Sequence, residues 1–204
     1  MILKQVTRVA IFLSLIGGLA LARPNAQTDD HAKNQANGEP ERFTALAVNM
    51  GTPGRGGTAT VEIAVNRWST DAERDKLLNA LLEKGPEKLL DTLQDMPRIG
   101  YIRTPNSIGY DLHFARKHPM PDGAERVVIM TDRHISFWEA SNRPRSIDYP
   151  FTLIEMHINP NGEGEGKLSL ATKITTERDN KMIVLENYQS QPVQLTSVRR
   201  EKKT

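Results

Sequence analysis

Two short patterns in this sequence could carry chemistry: Asp111-x-His113 and Glu155-x-His157, each a carboxylate two residues before an imidazole. On a β-strand, residues two apart point to the same face, so each pattern can present both groups together. Imidazole and carboxylate groups are suitable ligands for zinc or iron. If the two strands were neighbours, the four side chains could converge on one metal ion, as in a metal-dependent hydrolase.

The residues around these patterns favour a plainer interpretation. On strands, the opposite faces would carry the apolar side chains Leu112, Phe114, Ile154, Met156 and Ile158. The four polar residues would then form the solvated side of half-buried strands. We keep them as a candidate site and assign no metal and no cofactor.

Other catalytic motifs are missing from the sequence. No serine stands in a Gly-x-Ser-x-Gly nucleophile elbow. The chain has no cysteine, which excludes thiol catalysis, disulfides and zinc thiolate sites. We assign no catalytic residue, and the sequence favours a protein that is not an enzyme.

The charge balance excludes one class of partner. Among 204 residues, 27 Lys and Arg stand against 25 Asp and Glu, a formal charge of +2. Both surplus charges, Lys4 and Arg8, lie in the first 22 residues, which contain no acid. The remaining chain is neutral, whereas binding to nucleic-acid phosphates needs clustered Lys and Arg. We therefore expect no nucleic-acid partner.

The N-terminus has the pattern of a secretory signal peptide. Lys4 and Arg8 precede the apolar run 9–21, and Ala20 and Ala22 are the small residues that signal peptidase recognises. The run is shorter than the roughly 20 residues that span a bilayer. We expect cleavage after Ala22, no stable membrane span after cleavage, and export to the periplasm or the extracellular space.

The rest of the chain divides into a leader, one domain and a tail. Residues 23–40 have almost no bulky apolar side chain, so we expect a disordered polar leader. Residues 41–198 suit a single β-rich globular domain. Residues 199–204 form a charged tail.

A period of two in hydrophobicity recurs through the domain and indicates strands. In 108–116 it predicts one strand with Tyr110, Leu112 and Phe114 on the same face. Asn161-Gly162 predicts a hairpin, and the following Glu163 to Gly166 look like its soluble tip. The predicted strands are 43–49, 58–68, 99–103, 108–116, 125–131, 134–139, 151–158, 167–175, 181–188 and 193–199.

One region is helical. Thr70 and Glu73 form a capping box, and a leucine stripe with three- and four-residue spacing follows. Gly85 is placed to end this helix, and Pro86 suits the first turn of the next. The fold class is therefore mainly β (α+β), an antiparallel barrel or sandwich of about eight to ten strands, with a two-helix insertion after the second strand.

The function expected from these features is an exported, non-catalytic binding domain for a small apolar or amphipathic ligand. This inference is architectural, because barrels and sandwiches host many functions. An alternative is an envelope protein–protein interaction module that uses the 70–96 helical hairpin. The metal-dependent hydrolase has less support.

Cleavage of the signal peptide can be tested directly. Protein secreted by its own host should begin near Arg23, because the apolar run ends there. N-terminal sequencing checks this, and an intact Met1 on the secreted protein would contradict it.

Overall fold

The structure is a computed structural model, and it describes residues 38–49, 57–132, 148–177, 182–187 and 191–201. Within these ranges the chain forms a nearly closed antiparallel β-barrel with two helices after the second strand, which confirms the predicted fold class. Outside them lie Ala20 and Ala22 with the rest of the predicted signal peptide, most of the leader, and the strand predicted at 134–139.

The barrel strands in the described residues vary from the three residues of β4 to the 15 of β8. Among the described residues, no helix is both long and apolar enough to span a membrane. Two helices, α1 (Asp71–Lys84) and α2 (Pro86–Gln94), separate β2 from β3. The strands in the described ranges are β1 (Glu41–Asn49), β2 (Gly57–Val65), β3 (Gly100–Arg103), β4 (Tyr110–Leu112), β5 (Phe114–Pro119), β6 (Glu125–Asp132), β7 (Phe151–Ile158), β8 (Glu163–Glu177), β9 (Met182–Asn187) and β10 (Val193–Arg200).

The ribbon 110–119 brings the two ends of the sheet together. The strand order is β4-β3-β2-β1-β10-β8-β7-β6-β5, with β9 paired to β8 off this path. The end strands β4 and β5 are consecutive in the chain and separated only by His113. Because β4 pairs with β3 and β5 pairs with β6, one ribbon serves both ends of the sheet.

The single strand predicted at 108–116 is therefore wrong. The chain forms two strands, and the facing of its side chains changes at His113. Leu112 and Ala115 both belong to the barrel interior, although they are three residues apart, whereas Phe114 packs on the helices. The change follows from the switch of partner: the His113 N–H donates to the Met130 carbonyl of β6 at 3.4 Å.

Side chains fill the barrel interior. The inward rows of all the barrel strands contribute, and most of these residues have no measurable exposure. Burial of so much apolar surface is the main term that stabilises the fold. The interior cluster comprises Phe43, Ala45, Ala47, Val61, Ile63, Val65, Trp68, Ile99, Ile102, Leu112, Ala115, Val127, Ile129, Ile154, Met156, Ile158, Leu168, Val193, Leu195 and Val198.

An ionic ring lies on the inward rows at one end of the barrel. It consists of Glu41, Lys117, Glu125 and Arg200, from four different strands. The Lys117 ammonium is 2.5 Å from Glu41 and 4.0 Å from Glu125, and Arg200 pairs with both carboxylates. Charges alternate around the ring, so each side chain has two opposite neighbours. Arg200 also shows that β10 continues two residues past the predicted domain end.

The Glu–Gly alternation after Asn161-Gly162 is part of a strand. The predicted hairpin at Asn161-Gly162 is confirmed, since Gly162 has φ +83° and its N–H donates to the Asn159 carbonyl at 2.9 Å. The hairpin tip is shorter than predicted, because β8 begins at Glu163, although Glu163 and Glu165 are both exposed to solvent. Gly164 lies between Ile158 and Val198 in the register. A Cβ on Gly164 would lie 1.9 Å from the His157 carbonyl oxygen, so the close approach of β7 to β8 at this position needs glycine.

The helical hairpin packs on the outer surface of β6, β7 and β8. The capping box is confirmed: the Thr70 hydroxyl accepts from the Glu73 N–H at 3.2 Å, and Glu73 accepts from the Thr70 N–H at 2.9 Å. Gly85 has φ +85° and separates the helices, with Pro86 opening the second. The buried side of the stripe packs on β6, β7 and β8 through Leu77, Leu81, Leu89, Leu93, Met96, Met130, Phe151 and Ile174.

The close backbone approach at Gly164 predicts that a single added methyl group will strongly lower the stability of the fold. Gly164→Ala should lower the free energy of unfolding by about 2 kcal/mol or more, because the new Cβ meets backbone that is held in two ladders. Urea denaturation measures this. Gly57→Ala is the matched control, since nothing lies within 4 Å of its Cβ position. Equal midpoints for the two variants would contradict the prediction.

Candidate functional site

The two carboxylate–histidine patterns lie on strands that are not neighbours. Asp111 is in β4, and Glu155 and His157 are in β7; in the sheet order β5 and β6 follow β7 before the ribbon returns to β4. The structure therefore keeps the patterns apart. Among the described residues, no group of three or more His, Cys, Asp or Glu side chains is placed to hold a metal ion.

The first pattern is divided between solvent and the helices. Asp111 is exposed and pairs with Arg98 at 2.8 Å. His113 is half-buried at the strand break, where its Nδ1 lies 3.0 Å from the Met96 carbonyl at the end of the helical hairpin. A carbonyl only accepts hydrogen bonds, so Nδ1 carries the proton. The other ring nitrogen is 3.9 Å from the buried Asp132 carboxylate. His113 thus links the ribbon to the helices.

The second pattern belongs to the outer face of β7. The His157 Nε2 is 3.4 Å from a Glu155 carboxylate oxygen, and the same oxygen is 2.7 Å from Arg126. Glu155 is thus shared between an arginine and an imidazole on a solvated surface. This is the arrangement expected of a polar outer row.

A different cluster lies on the half of the barrel opposite the helices. The outward rows of β1, β2 and β3 form a surface that we call the open face. Its rows are set by the register Thr44↔Glu62↔Arg103 and Arg42↔Ala64↔Tyr101, with Leu46↔Thr60 beside them. The open face comprises Arg42, Thr44, Leu46, Thr60, Glu62, Tyr101 and Arg103.

Glu62 is the centre of the open face. Its Oε1 accepts from the Tyr101 hydroxyl at 2.6 Å and from Arg42 Nη1 at 3.1 Å. Its Oε2 accepts from Arg103 through Nε at 2.8 Å and Nη2 at 2.6 Å. The Arg103 guanidinium also lies 5.0 Å from the Tyr101 ring centroid. One carboxylate thus fixes a phenol and two guanidinium groups.

The hydrogen bonds at Glu62 shift the pKa values of both Glu62 and Tyr101. The hydrogen bond from the Tyr101 hydroxyl is the main cause of a lowered pKa for Glu62. Partial burial raises this pKa, whereas Arg103 and Arg42 lower it further. The same hydrogen bond raises the pKa of Tyr101, because a phenolate could not donate it. Glu62 is therefore ionised and Tyr101 is protonated at neutral pH.

A depression of about 400 Å³, open to solvent and called the cavity below, lies on this face. Its lining residues are Thr44, Thr60, Glu62, Arg103, Pro105 and Asn106. The last two belong to the loop after β3, which is tied by a hydrogen bond from the Thr104 N–H to the Ser107 hydroxyl at 3.1 Å and from that hydroxyl to the Thr104 carbonyl at 2.9 Å. The cavity thus has a sheet as its floor and a folded loop as its wall.

Sequence reasoning missed this cluster. Glu62 is visible in the sequence only as one polar residue of an alternating strand, and Tyr101-x-Arg103 as a short run after a proline. Their spacing along the chain, 39 and 41 residues, gives no local signal. The available hint is that Tyr101 and Arg103 are two apart and therefore share a strand face.

Comparisons with protein-family models, with curated proteins and with solved structures give no significant match to this chain.

The lowered pKa of Glu62 predicts a pH-dependent effect on stability. Glu62→Gln should lower the free energy of unfolding at pH 7 by about 1–3 kcal/mol, because charge-assisted hydrogen bonds are lost. A group whose pKa is lowered on folding stabilises the protein above its unfolded pKa, and this contribution disappears as the pH falls through the folded value. The difference between wild type and variant should therefore shrink in acid.

Urea denaturation of both proteins at pH 7 and at pH 3 checks this. Glu163→Gln is the control, because Glu163 is 61% exposed and its ion pair with Arg199 is loose, at 3.8 Å. Its effect should stay within about 1 kcal/mol at either pH. If the difference in unfolding free energy between wild type and Glu62→Gln does not change with pH, the pKa of Glu62 is not lowered by its hydrogen bonds.

Proposed function

We propose that this chain is a non-catalytic binding protein of the periplasm or the extracellular space, and that it binds a small amphipathic ligand on its open face. The observation that carries the proposal is the cavity of about 400 Å³ beside the Glu62 cluster. Ligand sites commonly have volumes of roughly 300–1,000 Å³ and combine apolar lining with a few fixed polar groups.

The cavity offers both kinds of contact. Thr44, Thr60 and Pro105 line it and carry apolar groups, while Leu46 lies beside Thr60 in the register and is 38% exposed. Arg103 and Glu62 supply charged groups that are already held in place. An amphipathic molecule could lay its apolar part across the threonines and direct its polar end to the cluster.

The barrel interior gives less support for a ligand site. Its side chains already pack against one another, and the ionic ring lies across one end. An apolar ligand inside the barrel would have to displace that packing. This favours a site on the outer surface.

The helical hairpin gives less support for the alternative, an envelope protein partner on residues 70–96. The apolar stripe of α1 and α2 is used in packing on the barrel, with Leu77, Leu81, Leu89 and Leu93 all buried. Leu82 is exposed at 54%, and a single exposed leucine is ordinary for a protein surface.

Titration calorimetry with three C12 amphiphiles tests the proposed function. The probes are laurate, dodecyltrimethylammonium and dodecyl maltoside, each used below its micellar concentration. We expect at least one to bind with a stoichiometry of one. Thr60→Trp should weaken that binding at least about tenfold, because the indole fills the cavity floor.

Asn79→Trp is the matched control, since it adds the same ring at an exposed position of α1. It should bind the probe as the wild type does. If none of the three probes binds, or if Thr60→Trp binds as tightly as Asn79→Trp, the proposed function is wrong.

A further inference from the structure

The charged groups of the open face define the head group of the ligand more closely. We infer that the cavity selects an amphiphile with a single negative charge, of the carboxylate class, and that Arg42 and Arg103 bind its head group while Glu62 positions the two arginines. This inference rests on the proposed function, because it concerns the ligand of the same cavity.

The first argument is preorganisation. Arg42 and Arg103 come from β1 and β3, on either side of Glu62 in β2, and both guanidinium groups are hydrogen-bonded to that one carboxylate. A free arginine loses rotamer entropy when it binds a ligand, whereas these two have already lost part of it on folding. Fixed guanidinium forks match the geometry of a carboxylate.

The second argument is the donors that remain. The bonds to Glu62 use Nη1 of Arg42 and Nε and Nη2 of Arg103. Nη1 of Arg103 and the Nε and Nη2 edge of Arg42 are left for a ligand, as far as the described residues are concerned. Both side chains also reach solvent, with 55% exposure for Arg42 and 43% for Arg103, so an incoming head group can reach them.

The third argument is the sign of the charge. Arg103 and Glu62 line the cavity, and Arg42 pairs with Glu62 from the neighbouring strand just outside the lining. Two guanidinium groups thus face one carboxylate, which leaves one positive charge in excess. Arg199 is paired with Thr44 in the register, is 71% exposed, and lies a loose 3.8 Å from Glu163. The cluster as a whole attracts an anion, and one excess charge is balanced by a monoanion.

The opposite outer surface makes the contrast. Arg126 also lies on the outer face of the sheet beside a carboxylate, since its Nε is 2.7 Å from Glu155. It pairs with Glu155, and it neither lines the cavity nor bonds to Glu62. It therefore serves as a matched control for loss of a surface arginine.

The inference is tested by calorimetry with the same three C12 probes at low ionic strength. Laurate should bind at least about tenfold more tightly than dodecyl maltoside, and dodecyltrimethylammonium should bind most weakly, because the excess charge is positive. Arg42→Gln and Arg103→Gln should each weaken laurate binding about five- to tenfold and leave maltoside binding within about twofold. Arg126→Gln should change neither. Added salt should weaken laurate binding only.

Glu62→Gln tests the positioning role. It keeps the shape of the side chain but removes the charge-assisted hydrogen bonds that hold both guanidinium groups, so laurate binding should weaken by about threefold or more while maltoside binding stays within about twofold. If the arginines acted only through the fold, all three variants would weaken every probe. Circular dichroism checks that each variant is folded.

The outcomes separate the two proposals. Equal affinity for the three head groups, or laurate binding that Arg42→Gln, Arg103→Gln and Glu62→Gln all leave unchanged, overturns the selection of an anion and leaves the proposed function standing. Absence of binding by all three probes overturns both.

Discussion

Closure of the sheet by the ribbon 110–119 is the constraint on which the rest of the structure depends. An open sheet of this size would leave two edges with unpaired backbone groups, which invite pairing with other chains. Here β4 satisfies β3 and β5 satisfies β6, and His113 lies where the ribbon changes partner. The change shifts the inward facing from Leu112 to Ala115, so both strands can bury side chains in the same interior.

Because the sheet curves back on itself, its inner surface forms the core of the barrel and its outer surface faces the helices or the solvent. The interior of the barrel is narrow enough for side chains to fill it. Where two strands approach closely, glycine is required, as at Gly164, where a Cβ would overlap the His157 carbonyl. The outer surface includes a region under the helical hairpin, on β6, β7 and β8, and the open face on β1, β2 and β3. The outward residues Met130 of β6 and Phe151 of β7 pack beneath the helices, whereas the outward residues Glu62 of β2 and Arg103 of β3 lie at the surface.

The open face shows how a single carboxylate organises a surface. Glu62 is 22% exposed, so its ionisation is maintained by the donors around it rather than by water alone. Each donor depends on the register: a slip of one residue in β3 would turn Tyr101 and Arg103 to the interior. The local electrostatics of this face are therefore a consequence of strand pairing, and a ligand that binds there would be recognised by groups that the fold itself has fixed.

The sequence by itself determined the elements whose signals are local. The capping box at Thr70 and Glu73, the ends of the two helices at Gly85 and Pro86, and the hairpin at Asn161-Gly162 all depend on residues within a few positions of one another. The period of two placed most strands and the fold class. It failed at 108–116, where the chain changes its partner strand at His113. At Glu163 to Gly166 the alternation holds, because β8 begins directly after the turn.

Only the tertiary structure decided which polar residues meet. The two carboxylate–histidine patterns were visible in the sequence, yet they lie on strands that are not neighbours. Arg42, Glu62 and Tyr101 gave no signal, yet strand pairing places them within hydrogen-bonding distance. The physical reason is that composition and spacing act over one or two turns of chain, whereas strand order and register are set by closure of the barrel and burial of its whole interior.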